Sequence, residues 1–329
     1  MEYKAIKLVK RPTTVITPDI FEVVTLQRPA LKDGEVLVKQ THMSLDPAMR
    51  TWMQDNPDSY IEPVKIGDVM RSFGVGEVVE SKNPDFPVGA RVVGITGWAE
   101  YVIGGEDLQI VPVDLPVEAL LCVMHVPGLT AYVGLMEIAK PRAGETLVVS
   151  GAAGSVGSLV GQMAKAEGLR VVGLAGSDEK CEWLEQELGF DKAINYKSVD
   201  LEAQLAAVTP DGVDIYFENT GGPIQQMVFD RMNRLGRISV CGMIADYNAE
   251  TPAPGPSWVD INLKALTVQG FVIVDHYDKA PKATEALAGY LQKGQLKYRA
   301  HVLHGLESAV DGVNLLFTGE NKGKLLVAL

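Results

Sequence analysis

The residues with the clearest chemical purpose are Ser150-Gly151-Ala152-Ala153-Gly154-Ser155-Val156-Gly157, set between a strand-like run, Thr146 to Ser150, and a helical one, Val156 to Glu167. They form a variant of the GxGxxG fingerprint, with Ala152 in place of the first glycine. Gly154 lets the backbone approach a pyrophosphate, and Gly157 lets helix pack closely on strand. The helix N-terminus offers N–H groups to phosphate. A dinucleotide fits this spacing; the bland alternative is a glycine-rich turn with no ligand.

Sites that hold NAD place Asp or Glu at the end of the second strand, about 20 residues on, against the ribose 2′-OH. Here that strand ends Leu174-Ala175-Gly176-Ser177, small and neutral, and Asp178-Glu179-Lys180 follows. With no carboxylate at the strand end and Lys180 one turn into the helix, a 2′-phosphate is expected, hence NADP(H). The alternative for Lys180 is an ordinary surface lysine.

Other chemistries lack their residues. There is no HExxH, GxSxG or GxxxxGK[ST] motif and no Cys/His cluster. Of the histidines only His301 and His304 are close in sequence, and in a strand they point to opposite faces. No metal is expected. Cys122, Cys181 and Cys241 are too widely spaced for a disulfide framework or a CxxC site. A reducing compartment, the cytoplasm, is the expectation. The start, Met1-Glu2-Tyr3-Lys4-Ala5, carries no apolar leader, and no run of about 18 apolar residues suggests a membrane span.

These residues need a scaffold, and 329 residues with 47% hydrophobic and 22% charged content suffice for two globular domains. The formal net charge of −12, with no basic cluster, argues against nucleic acid and anionic membranes as partners. Up to about residue 120 the chain reads as short strands and turns, such as Glu35 to Lys39 and Gly74 to Glu80, fitting a β-rich or barrel-like unit. Within it, Asp46 to Lys65 is looser and reads as a helix and loop over a pocket.

From about residue 124, strands alternate with helices, the rhythm of a parallel sheet covered by helices. After Thr146 to Ser150 come strands Leu169 to Ala175, Ala193 to Tyr196, Gly212 to Asn219, Arg237 to Cys241 and Leu266 to Ile273. Helices are expected at Asp178 to Leu188, Pro223 to Asn233 and Ala280 to Lys293. Asp246 to Asn262, with Pro252, Pro254 and Pro256, reads as a functional or mobile loop. Strand-like runs at Arg299 to His304 and Lys324 to Leu329 return to the first domain.

Several segments carry a more specific likeness: Leu45-Asp46-Pro47-Ala48-Met49-Arg50, Pro127-Gly128-Leu129-Thr130-Ala131-Tyr132, Gly176 to Lys180, Asn195-Tyr196-Lys197, Cys241 to Asn248, Gly270-Phe271-Val272 and Asn321-Lys322-Gly323-Lys324. In order and over essentially the whole chain, they resemble the prostaglandin reductase family, which includes plant double-bond reductases and bacterial curcumin reductases, within the zinc-independent medium-chain dehydrogenases/reductases. The resemblance implies an α/β fold. A Rossmann-type doubly wound parallel sheet (124–293) would bind the dinucleotide, and a β-rich GroES-like domain (1–123 and 294–329) the substrate.

The resemblance also implies an NADPH-dependent reductase of the carbon-carbon double bond in α,β-unsaturated ketones and aldehydes, cytoplasmic and homodimeric. By motif, Gly176, Ser177, Lys180 and Tyr196 would hold the 2′-phosphate and adenosine side, and Ala153 to Gly157 the pyrophosphate. Thr130, Asn219, Cys241, Gly242 and Ile244 would line the ribose and nicotinamide side, with Phe271, Val272 and Asn321 closing over it. Tyr247 would donate a hydrogen bond to the enolate oxygen that grows as hydride reaches the β-carbon. Tyr196 reads equally as a strand-end tyrosine, Asn219 as a turn residue and Tyr247 as a packed loop aromatic.

One departure concerns the substrate. The family commonly has Asp-Pro-Tyr-Met-Arg where this chain has Asp46-Pro47-Ala48-Met49-Arg50, so a hydroxyl is lost and the pocket widened there. Trp52, Tyr60 and Trp258 are candidate pocket walls, with core packing the alternative for each. A quinone reductase of the same superfamily and a non-catalytic NADPH sensor are the competing functions. The first predicts indifference to Tyr247→Phe, and the second cofactor binding without turnover.

Overall fold

The structure is a computed structural model and describes residues 2–329. The chain forms two compact units, Met1–Leu121 with Ala300–Leu329, and Cys122–Arg299.

The first unit opens with strands β1 (Glu2–Leu8) and β2 (Phe21–Gln27), paired antiparallel. Next come β3 (Val36–Leu45), the single turn α1 (Met49–Trp52), β4 (Arg71–Ser81), β5 (Arg91–Gly97), β6 (Tyr101–Gly104) and β7 (Leu108–Ile110). β3, β4, β5 and β7 form an antiparallel sheet in that order. β3 is its axis: Val36–Lys39 also pair with β6. A core of Ile6, Leu45, Met49, Trp52 and Trp98 lies beneath.

A helical run, α2 (Val117–Ala139), follows, with π-helical stretches at Leu120–Met124 and Val133–Ala139. The sequence expectation of no membrane-length apolar run needs correction here. α2 is long and apolar enough to cross a membrane, its 18-residue window having a mean hydropathy of 1.7, but 72% of that window is buried within the protein, as in a core helix.

The second unit alternates strand and helix: β8 (Thr146–Val149), α3 (Ser155–Ala166), β9 (Arg170–Ala175), α4 (Asp178–Gln186), β10 (Lys192–Asn195), α5 (Leu201–Val208), β11 (Val213–Glu218), α6 (Gly222–Asp230), β12 (Met232–Val240), α7 (Trp258–Leu263), β13 (Thr267–Gly270) and α8 (Ala280–Gln292). Among the described residues these strands form one parallel sheet, ordered β10-β9-β8-β11-β12-β13. All four residues of β8 are buried, as befits a central parallel strand covered on both faces. Successive strands are added outward on one side of β8 up to β10 and then on its other side from β11, so the winding reverses between β8 and β11. In open α/β sheets this switch point is where ligands bind.

Several expected boundaries differ, among them the end of β13, which stops at Gly270. α6 stops at Asp230 and β12 starts at Met232, because Met232 pairs with Val213 before the register shifts and Arg237 pairs with Ile215. The proline-rich loop ends at Ser257, whose Oγ accepts from Val259 N at 3.2 Å and caps α7. Back in the first unit, β14 (Ala300–His304), the short helices α9 (Ser308–Gly312) and α10 (Leu315–Thr318), and β15 (Lys324–Ala328) close the chain. β15 extends the sheet by pairing with Leu45–His42 of β3.

Candidate active site and cofactor cradle

At the C-terminal edge of β8 the chain turns sharply through Gly151, at φ +58°. Gly154 N–H donates to Gly151 O at 2.9 Å, and Gly154 becomes the N-cap of α3, with no side chain capping it among the described residues. The first amides of α3, from Ser155 to Gly157, therefore lack intrahelical acceptors. A Cβ on Gly157 would stand 2.5 Å from Gly151 O, so only glycine permits this turn. Ala152 and Ala153 are buried beneath it, and Ala152 N–H donates to Leu174 O at 3.0 Å. The result is a backbone cradle of the kind that binds pyrophosphate.

At the end of β9, Ser177 Oγ caps α4 by accepting from Lys180 N at 3.3 Å, which sets Lys180 in the first turn. Tyr196, just after β10, reaches back over this corner: a Cβ on Gly176 would lie 2.7 Å from its Oη. Half-burial raises the Tyr196 phenol above its ordinary pKa, so it is a neutral donor at physiological pH. Asp178, a nearby carboxylate, accepts from Asn195 Nδ2 at 2.8 Å. The corner thus brings together a phenol and a lysine, with no strand-end carboxylate.

A third group of loops leaves β11 and β12. Asn219 donates twice to Ser150, from N to Oγ and from Nδ2 to O, both at 2.8 Å. Cys241 and Gly242 N–H donate to Glu218 O at 2.9 and 3.2 Å, and Ile244 N–H to Asn219 O at 3.3 Å. Tyr247 folds back over this turn: its Oη accepts from Met243 N–H at 3.2 Å, and a Cβ on Gly242 would lie 3.0 Å from that oxygen. The structure therefore brings Asn219, Gly242, Ile244 and Tyr247 into one corner.

Other expected site residues sit differently. The Phe271 ring is buried edge-on to Phe217 at 6.4 Å, against Gly134, whose Cβ would lie 2.5 Å from it. What Phe271 and Val272 present is backbone and the partly exposed Val272 side chain. Thr130 is a partly exposed residue of α2.

In the first unit, Asn321 Nδ2 donates to Gly323 O at 2.8 Å and shapes its own turn. Ala48 is half-buried, its carbonyl accepting from Thr51 N, Thr51 Oγ1 and Trp52 N. Trp52 is core, edge-on to Phe73, and its Nε1 donates to Tyr60 Oη at 3.1 Å. Tyr60 is 44% exposed and keeps surface for a ligand, whereas Trp52 offers almost none. In the second unit Trp258 is 83% exposed.

The family model described as the N-terminal domain of oxidoreductase matches residues 4–111, and the one described as zinc-binding dehydrogenase matches residues 155–289. Prostaglandin reductase 1 of Bos taurus is 42% identical over 315 residues, covering 93% of each chain. The NADP(+)-dependent 2-alkenal reductase of Nicotiana tabacum is 41% identical, over 89% of this chain and 87% of its own. CurA from Vibrio vulnificus, solved in complex with NADPH, superposes with a TM-score of 0.94 at 39% identity, covering 99% of this chain and 98% of its own. The chain belongs to the zinc-independent medium-chain dehydrogenase/reductase family.

This reductase has no group of three or more His, Cys, Asp or Glu side chains arranged to hold a metal among the described residues, despite the zinc in one matching family's description. The sequence reading missed Glu218. It ends the apolar strand β11, is 0% exposed, and its Oε1 accepts from Ser150 Oγ at 2.6 Å, Thr220 N at 2.7 Å and Gly221 N at 3.1 Å. The available signal was a carboxylate closing an otherwise apolar run just before Asn219-Thr220-Gly221-Gly222. Burial, and secondarily the Glu218 charge, push the Cys241 thiol up to about 12. Cys241 is therefore a packed thiol at neutral pH and not a nucleophile.

Proposed function

We propose that this reductase uses NADPH to reduce the carbon-carbon double bond of α,β-unsaturated aldehydes and ketones. One observation carries the reading: the Tyr247 hydroxyl is fixed above Gly242 by the Met243 N–H, beside the Asn219 and Gly151 loops at the sheet's switch point. The relatives named as alkenal and prostaglandin reductases support the substrate class.

The cradle fits the cofactor. Ala153, Gly154, Ser155, Val156 and Gly157 take the pyrophosphate on backbone amides, and Lys180, Tyr196 and the Gly176-Ser177 backbone take the 2′-phosphate. Asn219, Cys241, Gly242, Ile244 and Thr130 line the nicotinamide side, with Val272 and the Phe271 backbone at its margin. When bound, NADPH supplies the hydride that reaches the substrate's β-carbon. Tyr247 donates a hydrogen bond to the carbonyl oxygen as negative charge gathers there, and the bond it accepts from Met243 polarises its O–H toward that task. The enolate then takes a proton at its α-carbon from water, so no catalytic acid is needed, and the remaining rate comes from holding the hydride donor and the β-carbon about 3–3.5 Å apart. In the first unit, Ala48 presents a methyl group and Tyr60 a partly exposed hydroxyl toward the substrate.

The protein works in the cytoplasm as a homodimer. β13 is a sheet edge with all four residues exposed, and the neighbouring α7 exposes Trp258, Val259 and Leu263. An edge of unpaired backbone beside exposed apolar side chains is best satisfied by the same edge of a second copy. Light scattering on wild type and Gln269→Pro tests this: a dimer that the proline dissociates is expected, and a monomeric wild type counts against it.

Turnover is tested by following NADPH or NADH consumption with a short alkenal, a medium-chain enone, curcumin, an oxidised prostaglandin and a quinone. Enone and enal reduction with NADPH preferred is expected. Turnover of quinones alone, or cofactor binding without turnover of any acceptor, would refute it.

A further inference from the structure

Glu218 is fully buried at the end of β11, yet three hydrogen-bond donors from two loops converge on its Oε1. One is the hydroxyl of Ser150, the last residue before the glycine cradle. The others are the amides of Thr220 and Gly221, in the loop that follows β11. Ser150 Oγ passes the connection on by accepting from Asn219 N–H. The main-chain carbonyl of the same glutamate accepts from Cys241 and Gly242, where β12 ends. One residue therefore ties together three loops that leave neighbouring strands at the switch point. Glu218 Oε2, by contrast, makes no well-aligned hydrogen bond among the described residues, and the buried Tyr216 phenol lies against the carboxylate.

A buried carboxylate is costly unless its bonds repay desolvation. Nothing in the proposed chemistry calls for an acid at this depth, and Glu218 has no exposed surface with which to touch a ligand. What it does have is acceptor capacity. Three donors on one oxygen suit a carboxylate oxygen better than a serine or threonine hydroxyl, and they hold Asn219 and the Gly151 turn in a fixed relation.

We infer that Glu218 is the positioning residue of the nicotinamide half of the cofactor site, acting through Oε1 on Ser150, Asn219 and the Thr220-Gly221 turn. The inference rests on the reading that these loops line the nicotinamide side. The adenosine half, at Gly176, Lys180 and Tyr196, hangs from β9 and β10, on the far side of β8 from Glu218 and β11. Loss of the carboxylate must therefore weaken the whole dinucleotide while sparing its adenosine fragment. Glutamine keeps an oxygen where the donors converge, and at Oε2 it sets an amide beside the Tyr216 hydroxyl, which can accept from it, so it restores binding.

The experiment is equilibrium binding of NADPH and of 2′,5′-ADP, by fluorescence or calorimetry, to wild type, Glu218→Ala, Glu218→Gln and Ser150→Ala. For Glu218→Ala we expect the NADPH Kd to rise about tenfold or more while the 2′,5′-ADP Kd stays within about twofold, and for Glu218→Gln an NADPH Kd within about threefold of wild type. An unchanged NADPH Kd in Glu218→Ala, equal weakening of both ligands, or a glutamine variant as weak as the alanine one overturns the inference. Should Glu218→Ala not fold, Ser150→Ala decides: a rise of about threefold or more for NADPH alone supports the relay, and no rise refutes it. A wild type that binds NADPH no tighter than 2′,5′-ADP would instead refute the nicotinamide-side reading, and the inference with it.

Discussion

Lys324 of β15 and Asp46, just past β3, form an ion pair inside the first unit, with side chains only 3% and 15% exposed. Lys324 Nζ also donates to Leu45 O at 3.2 Å, and Ser44 Oγ donates to the other Asp46 oxygen. Four residues on, the guanidinium of Arg50 is buried and donates to Thr14 O at 3.0 Å through Nη2. Two buried cations therefore bracket Ala48, so the segment Asp46 to Arg50 is held from both ends. The Asp and Arg of this motif serve structure.

Removing one member of the pair leaves the other as an uncompensated buried charge. Lys324→Met is expected to cost about 3–5 kcal/mol, and the double variant Lys324→Met/Asp46→Leu to recover much of it. Denaturant unfolding followed by tryptophan fluorescence checks this. A single variant within about 1 kcal/mol of wild type would show that the pair carries little.

Tyr247→Phe removes the proposed donor and retains the ring. A fall in kcat of about tenfold or more is expected, with the NADPH Kd within about twofold of wild type. Steady-state kinetics with an enone, beside a binding titration, separates the two effects. An unchanged kcat would favour quinone-type chemistry with no need for an enolate donor.

Lys180→Ala should raise the Kd for NADPH by about tenfold and leave that for NADH within about twofold, because the lost charge-assisted bond exists only with the 2′-phosphate. Tyr196→Phe should move in the same direction by a smaller factor. Equal loss for both cofactors would place Lys180 outside the 2′-phosphate site.

The cysteines give a pH dependence of definite sign. Burial first, then the charges of neighbouring acidic residues, push the thiol of Cys241 up to about 12 and that of Cys181 to about 11, from 9.0. Both folded values lie above the unfolded one, so the associated stability is complete below pH 9 and is lost as pH rises through the folded values. Unfolding free energy should decline from pH 9 upward, less steeply in Cys241→Ala. Alkylation by iodoacetamide should be slow at neutral pH and gain about tenfold per pH unit until the folded value is reached. Rapid labelling of Cys241 at pH 7 would contradict this environment.

The Rossmann-like sheet was legible because its signals are local. Runs such as Leu147 to Val149 are uniformly apolar where both faces are covered, and Gly151 to Gly157 sit where a strand must turn into a helix. The neutral end of β9 was equally local, since an absent carboxylate can be read directly. Boundaries were harder. The start of β12 at Met232 depends on its pairing with Val213, which no pattern around residue 232 announces.

What the sequence determined by itself was the alternation of strands and helices in the second unit, the NADP-type cofactor and the likeness to a reductase family, because short-range periodicity and fixed spacings encode them. Tertiary structure decided which side chains meet. Only folding brings Tyr196 Oη over Gly176, Tyr247 Oη over Gly242, and Ser150 to Glu218 across 68 residues of chain. It also turned Trp52 and the Phe271 ring into core. A residue's role at such a site depends on its neighbours in space. Those neighbours are fixed by sheet register and burial, long-range terms that the one-dimensional pattern does not carry.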